Sequence, residues 1–304
     1  MLNPFLSDII GLIKKEGKGD FVLLTGKELL LDAQKGKYAV GAFNVNNMEI
    51  IQAIIGAAEE LNSPVILQAS QGGLKYAGVE YIAELGKLAA SLTHVPVALH
   101  LDHGTDFEQV IKCIRNGFSS VMIDGSRFPL EENIAFTKRV VEIAHMVGVT
   151  VEAELGKIGG TEDHITVDEK DATFTDPKEA KRFVEETGVD YLAIAVGTAH
   201  GVYQGEPEID FDRIKEIRNT IDIPLVLHGS SGVPAKSLEK AIELGICKIN
   251  IDTDVRASFA RTVKQYLEEN PDQIDPRKIL GPARDNMQET IMEKMKIFGS
   301  VNQA

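Results

Sequence analysis

Cysteine is scarce in this sequence. Its two thiols, Cys113 and Cys247, lie about 134 positions apart, so they form neither a CxxC pair nor a disulfide framework. They read as small buried hydrophobes. Positive charge is also in deficit: 32 Lys and Arg stand against 46 Asp and Glu, a formal net charge of −14. That field excludes nucleic acid or an anionic membrane as a bulk partner. It does not exclude a phosphorylated small molecule, which a few local donors can hold. Long apolar runs are missing as well. No segment approaches about 18 consecutive apolar residues, the length needed to span a bilayer. The opening stretch, MLNPFLSDIIGLIKKEGKGD, has too short an apolar run before its lysines to serve as a signal peptide. A reducing cytoplasm is the expected setting.

What is present is a hydrophobic content of 43%, ample for a sizeable core, in a chain of 304 residues. From residue 38 onward, short runs rich in Val, Ile, Leu and Ala alternate with amphipathic stretches of helical length. The runs are 38–45 (YAVGAFNV), 65–70 (VILQAS), 95–102 (VPVALHLD), 120–126 (SVMIDGS), 150–156 (TVEAELG), 191–197 (YLAIAVG), 223–229 (IPLVLHG) and 247–254 (CKINIDTD). Such runs suit strands buried on both faces of a parallel sheet. The predicted helices cover 48–61, 79–92, 107–116, 131–146, 178–187, 212–219, 235–244 and 255–269, and several end on a glycine that can supply a left-handed cap.

Eight such units without a composition break predict an α/β fold, a single (β/α)8 barrel, which needs roughly 250 residues. An open dinucleotide-binding sheet would put a glycine-rich fingerprint after the first strand, and residues 41–49 (GAFNVNNME) have none. Residues 1–26 read as an N-terminal extension. Residues 271–304 read as an added C-terminal helix, beginning after DPRK and running over 286–298.

The catalytic face of such a barrel lies at the C-terminal ends of its strands. In chain order the strand ends deliver Asn44, Ser70, Asp102-His103, Asp124, Glu152 with Glu154, His200, His228-Gly229-Ser230-Ser231, and Asn250 with Asp252 and Thr253. Apolar strands that end in histidines and carboxylates point to a ligand that offsets the cost of gathering them. Three histidines with an open fourth position form a known catalytic zinc arrangement. The glycines beside His200 and His228 suit a phosphate held by backbone N–H groups. His100 lies deeper and reads as a satisfied core histidine. His94, His145 and His164 read as solvated, as do the pairs Glu59–Glu60 and Glu185–Glu186.

Together these residues resemble the class II (metal-dependent) fructose-1,6-bisphosphate aldolases and the related tagatose-1,6-bisphosphate aldolases. The motifs are GAFNVNN (41–47), HLDHG (100–104), SVMIDGS (120–126), VEAELGKIGG (151–160), GTAHGVY (197–203), VLHGSSGV (226–233) and KINIDTD (248–254). DPRKILGPAR (275–284) and the tail GSVNQA (299–304) extend the likeness to about residues 27–304. The resemblance implies His103, His200 and His228 as zinc ligands and Asp102 as the proton donor and acceptor. It implies Asp124 and Glu154 at a second or alternative divalent position, and a monovalent cation as activator. Gly201, Gly229, Ser230 and Ser231, with Asn250, Ile251, Asp252 and Thr253, would hold the dihydroxyacetone phosphate end. Asn44 and Ser70 would touch the other half, Arg256 the distal phosphate, and Glu162 would reach in from a loop. The third motif reads HGSSG, which matches neither the fructose nor the tagatose pattern cleanly. The expected partners are a sugar bisphosphate and triose phosphates, in a homodimer or homotetramer.

Two rival chemistries fit less well. A Schiff-base route needs a desolvated lysine at the catalytic end; Lys248 faces inward by alternation but lies at the start of its strand. A metal-dependent hydrolase on this barrel would carry His-x-His on the first strand and often a lysine on the fourth, and the sequence has neither.

Overall fold

The eight apolar runs become eight parallel strands that close into a barrel. The computed structural model describes residues 23–162, 165–167, 172–201, 203 and 205–304, with side chains throughout except at 162 and 165–167. Most of the N-terminal extension, His164 and the side chain of Glu162 therefore lie outside the described residues. The first half of the chain runs α1 (Gly26–Gly36), β1 (Val40–Asn44), α2 (Met48–Leu61), β2 (Val65–Ser70), α3 (Gln71–Ala77), α4 (Val79–Leu92), β3 (Val97–Gly104), α5 (Phe107–Arg115), β4 (Ser120–Ile123) and α6 (Leu130–Met146). There follow β5 (Thr150–Leu155), β6 (Gly159–Glu162), β7 (Ile165–Val167), α7 (Pro177–Thr187), β8 (Tyr191–Ile194), β9 (Ala199–His200), α8 (Phe211–Thr220), β10 (Leu225–Leu227), α9 (Ala235–Glu243), β11 (Ile246–Ile251), α10 (Thr253–Glu269) and α11 (Pro276–Ile297). Around the barrel the order is β1-β11-β10-β8-β5-β4-β3-β2. Among the described residues no helix is long and apolar enough to cross a membrane.

Alternation divides each strand into two faces. Outward residues such as Phe43, Leu99, Val151, Leu192, Ile249 and Ile251 join one apolar cluster between barrel and helices. Inward residues stack in levels. The lowest is apolar: Val40, Ile66, Ala98, Tyr191 and Val226 pack against Leu29, Leu30 and Ala33 of α1. That helix was not anticipated. It is set by a capping box, in which the Thr25 hydroxyl accepts from the Glu28 backbone N–H and the Glu28 carboxylate accepts from the Thr25 N–H at 2.9 Å. It closes the N-terminal mouth of the barrel.

The C-terminal helix differs from expectation at its start. It begins at Pro276 rather than after DPRK, because Asp275 accepts from the Arg277 N–H and a proline fits the first turn. Its buried face of Ala283, Met287, Ile291 and Met295 repeats every four residues and packs across α2 and α10. Both cysteines are free and buried, and burial pushes their thiols up to about 12 for Cys113 and about 11 for Cys247, as inert hydrophobes should be. His145 is exposed, as expected, and its ring also meets Asp190 at 2.8 Å.

Candidate active site

Strand β3 carries the pivotal pair, and it breaks the alternation rule to do so. Asp102 faces inward by parity with His100, so His103 should face outward. Instead the register against β4 shifts between Leu101 and Gly104, and His103 adopts φ 49°. A non-glycine residue in that left-handed region costs on the order of 1–3 kcal/mol and persists only where the surroundings impose it. The result turns both side chains into the barrel mouth.

Asp102 is fully buried and ringed by amide donors. Oδ2 accepts from Asn44 Nδ2 at 2.9 Å and Gln68 Nε2 at 3.1 Å; Oδ1 accepts from Asn250 Nδ2 at 3.2 Å. The donor ends of these amides are fixed from behind. Gln68 Nε2 also donates to Asn44 Oδ1 at 2.6 Å, and Lys248 Nζ donates to Asn250 Oδ1 at 2.7 Å, which leaves each NH2 facing the carboxylate. Gln68 was not among the expected site residues.

The histidines converge beside it. His103 Nε2 lies 2.9 Å from His228 Nδ1 and 3.9 Å from Asp102 Oδ1. The outer nitrogen of each ring meets a carboxylate: His103 Nδ1 with Asp124 Oδ2 at 2.9 Å, His228 Nε2 with Glu152 Oε1 at 2.7 Å. A carboxylate only accepts, so the outer nitrogens carry the hydrogens and the two inner lone pairs face each other. Lone pairs at 2.9 Å repel unless a positive species lies between them. The ring of His200 stands 5.1 Å from that of His103, centroid to centroid, and ligand atoms of all three histidines lie within 4.8 Å of one another. Nitrogens on a tetrahedral ion with ~2.1 Å bonds sit about 3.4 Å apart, inside that range. The donor set therefore fits a divalent cation. His103, Asp124 and Glu154 form a second overlapping set.

Asp124 in this geometry also supports His103. Burial pushes its carboxyl up, but the His103 bond and charge, with bonds from Ser126, outweigh that and hold it at about 2. Glu154 Oε2 lies 3.6 Å from His228 Nδ1.

His200 arrives by a different route. It lies beyond β8 on β9, which pairs with β6 in a small sheet of order β7-β6-β9, Gly160 opposite His200. The loops after two barrel strands thus hold this ligand candidate together. Tyr203 completes the arrangement: its hydroxyl accepts from the Ala199 N–H and donates to the Gly229 carbonyl, both at 2.7 Å. Gly229 has φ 60°, and a Cβ there would meet the Ala199 carbonyl oxygen at 2.4 Å, so only glycine lets these loops approach.

One cleft beside the histidines is lined by Asn44, His200, Gly201, Gly229, Ser230, Ser231, Asn250, Asp252, Thr253 and Arg256, together with Thr161, which was not anticipated. Ser231 Oγ accepts from the backbone N–H groups of Asp252 and Asp254, tying the HGSSG loop to the end of β11. Three of the expected residues also have structural partners. Ser70 caps α3 by accepting from the Gly73 N–H at 3.2 Å. The Ile251 side chain packs outward into the core. Arg256 is ion-paired with Asp252 and lines the same cleft as the glycine-rich loops. Lys248 also departs from expectation: although it sits low on β11, its long side chain carries the ammonium up to Asn250. It is wholly buried and paired with Glu152 at 2.8 Å.

The comparisons with known proteins agree with this geometry. The family model described as class-II fructose-bisphosphate aldolase matches residues 24–303. The fructose-bisphosphate aldolase of Thermus caldophilus is 50% identical, over 93% of this chain and all of its own length. The probable fructose-bisphosphate aldolase of Bacillus subtilis is 48% identical, over 93% and 99%. Among solved structures, the YdjI aldolase from Escherichia coli K12 superposes with a TM-score of 0.80 at 36% identity, covering 92% of this chain and 98% of that one. A closed barrel with a histidine cluster at its mouth, a family match across nearly its whole length and relatives at half identity leave one assignment: the chain belongs to the class-II fructose-bisphosphate aldolase family, whose members are metal-dependent lyases.

Proposed function

We propose that this protein is a zinc-dependent aldolase that reversibly cleaves fructose 1,6-bisphosphate into dihydroxyacetone phosphate and glyceraldehyde 3-phosphate. The observation that carries the reading is the pair of inner nitrogens of His103 and His228 at 2.9 Å, each ring anchored from behind by a carboxylate. His103, His200 and His228 would hold the ion, with Asp124 and Glu154 beside them. A divalent cation there supplies a Lewis acid for the ketose carbonyl.

The remaining work falls to side chains. Asp102 is a carboxylate at the mouth with three amides fixing its orientation, placed to take the proton from the C4 hydroxyl. The C3–C4 bond then breaks, releasing the aldehyde half. Asn250, next to Asp102, donates where charge gathers on the remaining three-carbon half, which gains a proton at C3 and leaves as dihydroxyacetone phosphate. The glycine-rich loops at Gly201 and Gly229 to Ser231 would receive one phosphate. Arg256 stays the candidate for the second phosphate, with Asn44 and Ser70 toward that half and Glu162 as a loop acid–base group. By family resemblance, the reading extends to one barrel domain with residues 271–304 as a C-terminal addition, to a cytoplasmic homodimer or homotetramer, and to a monovalent activator.

The test is cleavage of fructose 1,6-bisphosphate and, in parallel, tagatose 1,6-bisphosphate by purified protein, with chelator and with zinc restored. Loss of activity on chelation and recovery with zinc, with fructose preferred, is the expected result. Preference for tagatose would keep the mechanism and change the substrate; turnover indifferent to metal removal would refute the reading.

A further inference from the structure

Beneath the site lies a second polar level of the barrel. Glu152 and Lys248 are both wholly buried, 2.8 Å apart, one level below Glu154 and Asn250. His100 joins them: Nε2 lies 3.3 Å from Glu152 Oε2, and Nδ1 lies 2.8 Å from Ser120 Oγ. Barrel interiors are more often filled by branched apolar side chains. A buried ion pair does not account for itself through stability, because a well-packed hydrophobic replacement is often neutral or better. The pair's contacts suggest another purpose. Each of its two charges makes one contact upward. Glu152 Oε1 meets His228 Nε2 at 2.7 Å, and Lys248 Nζ donates to Asn250 Oδ1 at 2.7 Å.

These two contacts settle choices that the site cannot settle alone. An imidazole can carry its hydrogen on either nitrogen; Glu152 requires it on Nε2 and leaves Nδ1 for a cation. An amide can present either end; an ammonium, which only donates, takes Oδ1 and leaves Nδ2 for Asp102. The ion pair joins both decisions in one rigid unit. We propose that Glu152 and Lys248 are positioning residues, a single brace that orients His228 and Asn250 together and so couples cation affinity to proton-transfer geometry. This rests on the zinc-aldolase reading above.

The test uses the purified full-length protein, the pair variant Glu152→Leu/Lys248→Met and two measurements besides folding. Zinc affinity of the metal-stripped protein is read by competition with a chromophoric chelator. The kcat and KM for fructose 1,6-bisphosphate are read at saturating zinc. The expected result is a folded variant with zinc affinity lowered 10- to 100-fold, the usual effect of losing a residue that orients a ligand. Its kcat at saturating zinc also falls, more than KM changes. A folded variant with wild-type zinc affinity and kcat would overturn the proposal, and so would lost affinity with kcat intact, which would break the coupling. If the pair variant fails to fold, Glu152→Gln is read in the same assays. There the Lys248 ammonium competes for the one remaining oxygen and turns the amide N–H toward His228. Reduced zinc affinity would then support the brace and unchanged affinity would overturn it. Wild-type protein that binds no zinc would instead sink the underlying reading, and the brace with it.

Discussion

On β11, Ile249 and Ile251 face out into the apolar layer under the helices, while Lys248 and Asn250 face in to a network of charges and amides. On β3, Leu99 packs outward onto α4 where Gly86 leaves room for it, while His100 and Asp102 face in. The same backbone therefore serves two regions under different rules. The outer layer is held by shape and apolar area, where many substitutions of similar volume would do. The inner level is held by donors matched to acceptors, where one misplaced hydrogen undoes the arrangement. Stability and chemistry are thus separated by a single residue step along each strand, and substitutions should separate them too.

The largest effect should come from the inner face. Asp102→Ala is expected to lower kcat by 10²- to 10⁴-fold, the range for losing a positioned acid–base group. A steady-state assay beside a thermal melt checks it, and turnover near wild type would remove Asp102 from the chemistry. On the outer face of the same strand, Leu99→Ala should cost about 2–5 kcal/mol of stability through the cavity it leaves. Turnover per folded molecule should stay within about twofold. Denaturant titration together with kcat reads both, and a large kcat loss in fully folded protein would show that the two faces are not independent.

The smallest effect concerns acid. Asp124 is held at about 2, below its ordinary 3.8, so its ionised form stabilises the fold. That contribution, about 2 kcal/mol, is fully present above pH ~4 and is lost as pH falls toward ~2. Metal-free Asp124→Asn should show a shallower loss of stability across that window than metal-free wild type. An identical slope would mean that the His103–Asp124 contact is not formed without metal.

How much of this was readable beforehand follows from the same division. All eight barrel strands stood out as apolar runs, because burial on both faces leaves little polar sequence in them. The inner level was half readable. Glu152 and Gln68 lie two residues before Glu154 and Ser70, and parity alone puts them inside the barrel. For Lys248, alternation gives the inward direction but not the reach of its side chain. His103 groups with the other histidines by its place at a strand end, but its inward turn depends on a register shift that no periodicity encodes. The small sheet that carries His200 leaves little trace in the sequence because its strands are only two to four residues long. Helix α1 does carry a sequence signal, the Thr25–Glu28 capping box followed by Leu29, Leu30 and Ala33. Helix α3 is short and carries two glycines in its first turn, so propensity argues against it, and the Ser70 cap favours it.

The plug formed by α1 has a consequence for traffic. With its lower opening filled by leucine, valine and tyrosine, the barrel has, among the described residues, one open end. A bisphosphate must enter, and two smaller phosphates must depart, past the same rim of glycine turns and histidines. The two fragments cannot leave by opposite exits, so whichever sits nearer the threshold governs the release of the other.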